Sequence, residues 1–148
     1  MRAGFHLLPF LAALTFGCAD IPFRTSTWVT GDLQVDGGPF RPFECRTGAR
    51  YGLEGVELAD ANGRRIRASI GPHTGNSYPA PSIQGAATVA VLEPGESQAD
   101  RIFPCGLLTV GNQVSKIAGH RDVKGTADLS CASPQHSIKG HVEFSDCH

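Results

Sequence analysis

Between Trp28 and Cys147 the apolar residues come in short runs that alternate with polar ones at every second position. This period constrains the fold more than any other feature. Successive side chains on a strand point to opposite faces, so a period of two marks a strand with one buried face and one wet face. In Trp28 to Asp36, Leu33 and Val35 alternate with Asp32, Gln34 and Asp36. In Arg65 to Ile70, Ile66, Ala68 and Ile70 alternate with Arg65, Arg67 and Ser69, which predicts an apolar inner face and a solvated outer one. Ala86 to Leu92 is apolar nearly throughout and reads as a central strand buried on both faces. Phe40, Phe43 and Cys45 form an irregular segment interrupted by Pro42. Most of the 18 Gly and 10 Pro fall between these runs, as in an all-β chain with many turns.

Two hairpins are predicted from turn chemistry. Asp60-Ala61-Asn62-Gly63 joins Leu53–Leu58 to Arg65–Ile70, with Asp opening a type I turn and Gly supplying the left-handed position after it. Gly111-Asn112-Gln113 predicts a second turn, between Leu107–Val110 and Val114–Ala118. The end of the chain carries a short repeat. Lys124 to Cys131 (KGTADLSC) resembles Lys139 to Cys147 (KGHVEFSDC), and both copies read as strands. Val123, Gly125, Ala127, Leu129 and Cys131 share one face of the first; Ile138, Gly140, Val142 and Phe144 share one face of the second. Thr126, Asp128, Lys139, His141 and Glu143 then face solvent, and the extra Asp146 predicts a bulge before Cys147. The expected fold is all-β: an antiparallel β-sandwich or small barrel of about seven to nine strands.

The first residues set an address. Arg2 and the amino terminus precede an apolar run from Leu7 to Phe16, which has the length of a secretory h-region and is too short to span a bilayer. The run ends in Leu14-Thr15-Phe16-Gly17-Cys18. Gly17-Cys18 after an apolar run resembles the lipobox of bacterial lipoproteins. That resemblance implies a signal peptide over residues 1–17, lipidation of Cys18, a tether over residues 18–27 and a single β-rich domain over residues 28–148. Ala19 at the sorting position, with Asp20 one place beyond, implies outer-membrane anchoring by the same analogy. The alternative is a secretory signal cut after Ala19 and a free periplasmic or secreted domain.

Five cysteines are an awkward number for an exported chain. With Cys18 assigned to lipid, Cys45, Cys105, Cys131 and Cys147 remain and predict two disulfides. No Cys-x-x-Cys is present, which argues against a zinc ribbon or thioredoxin-type site. In a terminal hairpin Cys131 lies near the turn and Cys147 near the open end, too far apart to bridge. This disfavours Cys131–Cys147, and with it Cys45–Cys105, and leaves two connectivities open. Thirteen Lys and Arg are interspersed with fourteen Asp and Glu, so there is no basic stripe for nucleic acid.

Catalytic signatures are sparse. The chain has no Gly-x-Ser-x-Gly elbow, no Ser-x-x-Lys, no His-Glu-x-x-His and no phosphate-cradling glycine loop. His120-Arg121-Asp122 could supply a base and its orienting carboxylate, but no nucleophile accompanies them. His136, His141 and His148 could meet around the last hairpin to hold a metal, although scattered surface histidines account for them more simply. Thr47-Gly48-Ala49-Arg50-Tyr51 resembles the Ser-Gly-x-x-Tyr motif of periplasmic lysozyme inhibitors, with Thr in place of Ser. The resemblance implies that Thr47 and Tyr51 lie on a contact loop. Gly71 to Gln84 is the longest stretch without periodicity, and its His73 and Tyr78 are further contact candidates. The expected function is a non-enzymatic cell-envelope lipoprotein with a binding or structural role. It needs no cofactor or metal, and its partners are the membrane, through the lipid, and an envelope protein. The alternative is an inhibitor of an enzyme, of lysozyme or protease type, acting through an exposed loop.

Overall fold

A computed structural model describes residues 27–73, 82–99, 101–114 and 121–148. Among the described residues nine strands form one antiparallel sheet: β1 (Trp28–Val35), β2 (Gly38–Phe40), β3 (Pro42–Thr47), β4 (Leu53–Asp60), β5 (Arg65–Pro72), β6 (Ile83–Leu92), β7 (Phe103–Val114), β8 (Arg121–Ala132) and β9 (Ser137–Cys147). Their order across the sheet is β2-β1-β9-β8-β7-β6-β5-β4-β3. The two outermost strands, β2 and β3, are consecutive in the chain. Residues 38–47 are thus one broken strand whose first part pairs with β1 and whose second part pairs with β4. This curls the sheet into a nearly closed barrel. What remains is a seam where Trp28–Asp32 of β1 runs beside β3 without entering a ladder with it.

The interior is filled by the residues that the alternation places there: Leu33, Val35, Val56, Leu58, Ile66, Ala68, Val89, Val91, Ala127, Leu129, Ile138, Val142 and Phe144. The outer wall carries Lys139, His141, Glu143 and Asp128 in solvent. Apolar inside and charged outside is the reverse of a barrel that spans a membrane, and among the described residues no helix is long and apolar enough to cross one.

Bulges decide where the cysteines point. Two residues, Ser145 and Asp146, oppose one between the pairs Val123↔Cys147 and Gly125↔Phe144. Asp146 has a φ of 55°. The extra residue changes the parity of the strand, so Phe144 and Cys147, three apart, both face the core. Gly106 does the same on β7. It has a φ of +76°, and a Cβ there would lie 2.1 Å from the Asp128 carbonyl oxygen, so only glycine fits. Cys105 and Leu108 consequently both point inward. Of the two connectivities left open, the structure has Cys45–Cys147 and Cys105–Cys131. The first ties β3 to β9 across the seam; the second joins neighbouring strands β7 and β8.

The Asp60 hairpin forms as expected. The Gly63 N–H donates to the Asp60 carbonyl at 3.1 Å, and Asp60 Oδ1 accepts from the N–H groups of Asn62 and Arg64. The second predicted hairpin does not form. Strand β7 runs straight through Gly111-Asn112-Gln113, which pair with Lys124, Val123 and Asp122 of β8. Gly111 is small for a packing reason, since a Cβ there would lie 2.6 Å from Ser82 Oγ. Here the ladder with β8 overrides a local turn preference.

The bridges close loops of very different length, with sequence separations of 102 and 26. By loop-closure entropy, replacing Cys45 and Cys147 together with Ser should cost about 4–5 kcal/mol, and replacing Cys105 and Cys131 about 3 kcal/mol. Urea unfolding of the two double variants against the parent checks the order.

Candidate functional site

Of the sequence candidates, Tyr51 lies on the outer wall over β3, β4 and β5, whereas Thr47 shares the inward face of β3 with Cys45 and stands in register with the core residue Val56. Thr47 ends β3 and caps a short 3-10 turn, Gly48–Tyr51. Its Oγ1 accepts the Ala49 N–H at 3.3 Å, and the residue is 8% exposed. The turn lays the Tyr51 ring against the sheet, where the Arg67 guanidinium carbon lies 3.7 Å from the ring centroid. Such stacking of a cation on an aromatic face is attractive.

Beneath them lies Glu57, 1% exposed although it belongs to the outer face of β4. The Tyr51 hydroxyl donates to its Oε1 at 2.8 Å, and Arg67 Nε donates to its Oε2 at 2.6 Å. Arg65 and Arg46 stand at 3.8 and 3.9 Å. Arg46 also donates twice to Glu44 Oε1, at 2.9 and 2.8 Å, and this bond to Glu44 raises its pKa above the ordinary arginine value. Hairpin register explains the cluster. A turn closed by Asp60 and Arg64 puts Glu57 opposite Arg67, and β3 adds Arg46 on the other side. The outer face of Arg65–Ile70 is therefore partly covered rather than wet: Ser69 is buried, and Arg65 and Arg67 are half-buried. Both oxygens of Glu57 are engaged, so the cluster is an electrostatic lock rather than a catalytic base.

The remaining candidates are dispersed. His73 Nδ1 lies 2.8 Å from Glu54 Oε2, and its N–H donates to the Gly52 carbonyl. The histidines grouped around the last hairpin each pair with a different acid: His136 with Asp36 at 3.0 Å, His141 with Asp128, and His148 with Asp122 at 3.1 Å. Among the described residues no group of three or more His, Cys, Asp or Glu is placed to hold a metal ion. Cys18, Tyr78 and His120 lie outside the described residues.

A second feature is a hollow at the end of the barrel opposite to Trp28. It has a volume of about 340 Å3 and is lined by Val91, Glu93, Glu96, Arg101, Gln135 and His136. Sequence reasoning missed it because its residues come from two connections far apart in the chain. Only the barrel topology, which returns both connections to the same end, brings them together.

No protein-family model matches the chain, and neither a curated protein nor a solved structure matches it.

Replacing Glu57 with Gln leaves half-buried Arg67 beside a neutral partner. Removing one member of a buried ion pair typically costs about 3–5 kcal/mol, and Glu57→Gln should fall near the low end because Arg46 keeps Glu44. Tyr51→Phe should cost about 1 kcal/mol through the lost hydrogen bond. Chemical denaturation measures both.

The hydrogen bond with Asp128 raises the pKa of His141 above its ordinary value, partly opposed by burial; Glu143, at 3.7 Å from Nε2, adds to the rise. A raised histidine stabilises the fold below its unfolded pKa, about 6.5, and loses that contribution as pH rises through the folded value. An NMR titration of the His141 ring should give a midpoint above 6.5, and Asp128→Asn should bring it down.

Proposed function

We propose that this chain is an exported, non-enzymatic binding domain of the cell envelope, anchored by lipid on Cys18. The observation that carries the reading is the pair of disulfides. Such bridges persist in oxidising compartments outside the cytoplasm, and one of them fastens the barrel's own seam. Once Cys45, Cys105, Cys131 and Cys147 are paired, Cys18 is the one cysteine of the sequence left over. It follows directly on the apolar leader, as a lipidated cysteine would.

The non-enzymatic part of the reading rests on how the polar groups are used. The interior is packed with apolar side chains, and Glu57 is locked by Tyr51 and Arg67. Histidines 73, 136, 141 and 148 sit on separate carboxylates rather than beside a nucleophile. A rigid, stapled barrel with a charged wall suits recognition, because a preorganised surface loses little entropy on binding.

Intact-mass measurement on protein from a membrane fraction tests the anchor. The expected species begins at Cys18, carries lipid, and gains four hydrogens on reduction. A species beginning at Asp20 without lipid would remove the anchor and leave a free periplasmic or secreted domain.

A further inference from the structure

The hollow at the barrel end is built by the connection between β6 and β7 and by the tight turn between β8 and β9. Its walls are fixed by bonds that do not use the hollow itself. Arg64 grips Glu93 with two contacts, at 2.8 and 3.1 Å. The Glu93 N–H donates to Glu96 Oε2 at 2.8 Å, and Arg65 donates to the Glu96 carbonyl. In the β8–β9 turn, Ser133 Oγ accepts the N–H groups of Gln135 and His136 at 3.3 and 2.9 Å. The His136 ring stacks on Phe103, with centroids 6.3 Å apart, and its Nδ1 is held by Asp36. Burial alone would raise the Asp36 pKa, but the hydrogen bonds with His136 and from the Ser137 N–H outweigh it and keep the carboxylate ionised.

After these bonds are made, four groups at the hollow remain without a side-chain partner among the described residues. They are the Arg101 guanidinium, the Gln135 amide, the second oxygen of Glu96 and the second ring nitrogen of His136. All four belong to planar side chains. Arginine and glutamine each offer paired groups, which match two neighbouring hydroxyls at once, and the second oxygen of Glu96 can accept from a third. Among the described lining residues the fixed charges carry offsetting signs: Glu93 is neutralised by Arg64, and Glu96 and Arg101 are opposite in charge without pairing. A balanced lining gives a net-charged ligand no advantage. Val91, 6% exposed, borders the hollow from the core, and the volume lies within the usual range of small-molecule sites, about 300–1,000 Å3.

We propose that this hollow is a binding site for a neutral saccharide, of one or two rings, gripped through adjacent hydroxyls by Arg101, Gln135 and Glu96. The proposal rests on the binding-domain reading above and supplies its ligand class. The anchor and the ligand fail separately, since the mass measurement reads one and a titration reads the other. Where the domain is tethered at Trp28, the hollow opens at the far end.

The test is an NMR titration of the disulfide-intact mature protein with N-acetylglucosamine, its β-1,4-linked dimer, galactose and maltose. Lysine and glutamate serve as charged controls. The expected result is saturable shifts in the signals of Val91, Glu96, Gln135 and His136 with at least one sugar. Arg101→Ala should weaken that sugar about tenfold or more, as expected for a lost charged hydrogen bond, and leave the unfolding midpoint unchanged because Arg101 has no side-chain partner among the described residues. Gln135→Ala, on a separate element, should weaken the same sugar. No shift with any sugar up to its solubility limit would overturn the proposal. So would shifts confined to another face, tighter binding of lysine or glutamate, or sugar affinity unchanged in both variants.

Discussion

Closure of the barrel depends on one segment serving both edges of the sheet. Residues 38–47 pair first with β1 and then with β4, and the break near Arg41 lets the strand cross from one edge to the other. Everything else in the core follows from that closure. An open sheet of these strands would leave Leu58, Val89 and Ile138 on a bare face, whereas curling it makes that face an interior that side chains fill without a second layer. The closure is incomplete along Trp28–Asp32, and there the Cys45–Cys147 bridge, with Cα atoms 5.0 Å apart, does what ladder hydrogen bonds do elsewhere.

Much of this was legible in the sequence because period-two alternation is a direct consequence of strand geometry. The faces read for the terminal repeat are those observed, and the extra Asp146 correctly marked a bulge. The choice between two disulfide patterns was not legible. It depends on which strands become neighbours when the sheet curls, and that is set by long-range pairing rather than by spacing. The failed turn at Gly111-Asn112 has a related cause. Glycine there serves close packing against Ser82, a need that local sequence expresses in the same letters as a turn. The Glu57 cluster was within reach, since the Asp60 turn fixes the register that sets Glu57 against Arg67. The hollow was not, because nothing local links Arg101 to His136.

The outer wall divides into two electrostatic regimes. Over β3 to β5 the charges are drawn under Tyr51 and consumed by one another, so that region contributes rigidity. Over β8 and β9, Asp128, His141 and Glu143 stay in solvent, where water and salt weaken their mutual attraction. The same kinds of residue thus act as mortar on one side of the barrel and as a solvated surface on the other.

The seam also ties solubility to compartment. Trp28–Asp32 and Pro42–Thr47 are strand edges without a ladder between them, and exposed Trp28 and Phe43 flank them. With the bridge formed, they are pressed together, and Pro42 with the bulge at Phe43 spoils the β3 edge as a template. A chain retained where thiols stay reduced would lack the staple, and its seam could part into two unpaired edges bordered by aromatic rings. Such edges recruit strands from other chains. A copy that failed to be exported would then do more than lose stability: it would tend to associate with its own kind and drop out of solution, so the bridge that closes the barrel also confines the working protein to the far side of the membrane.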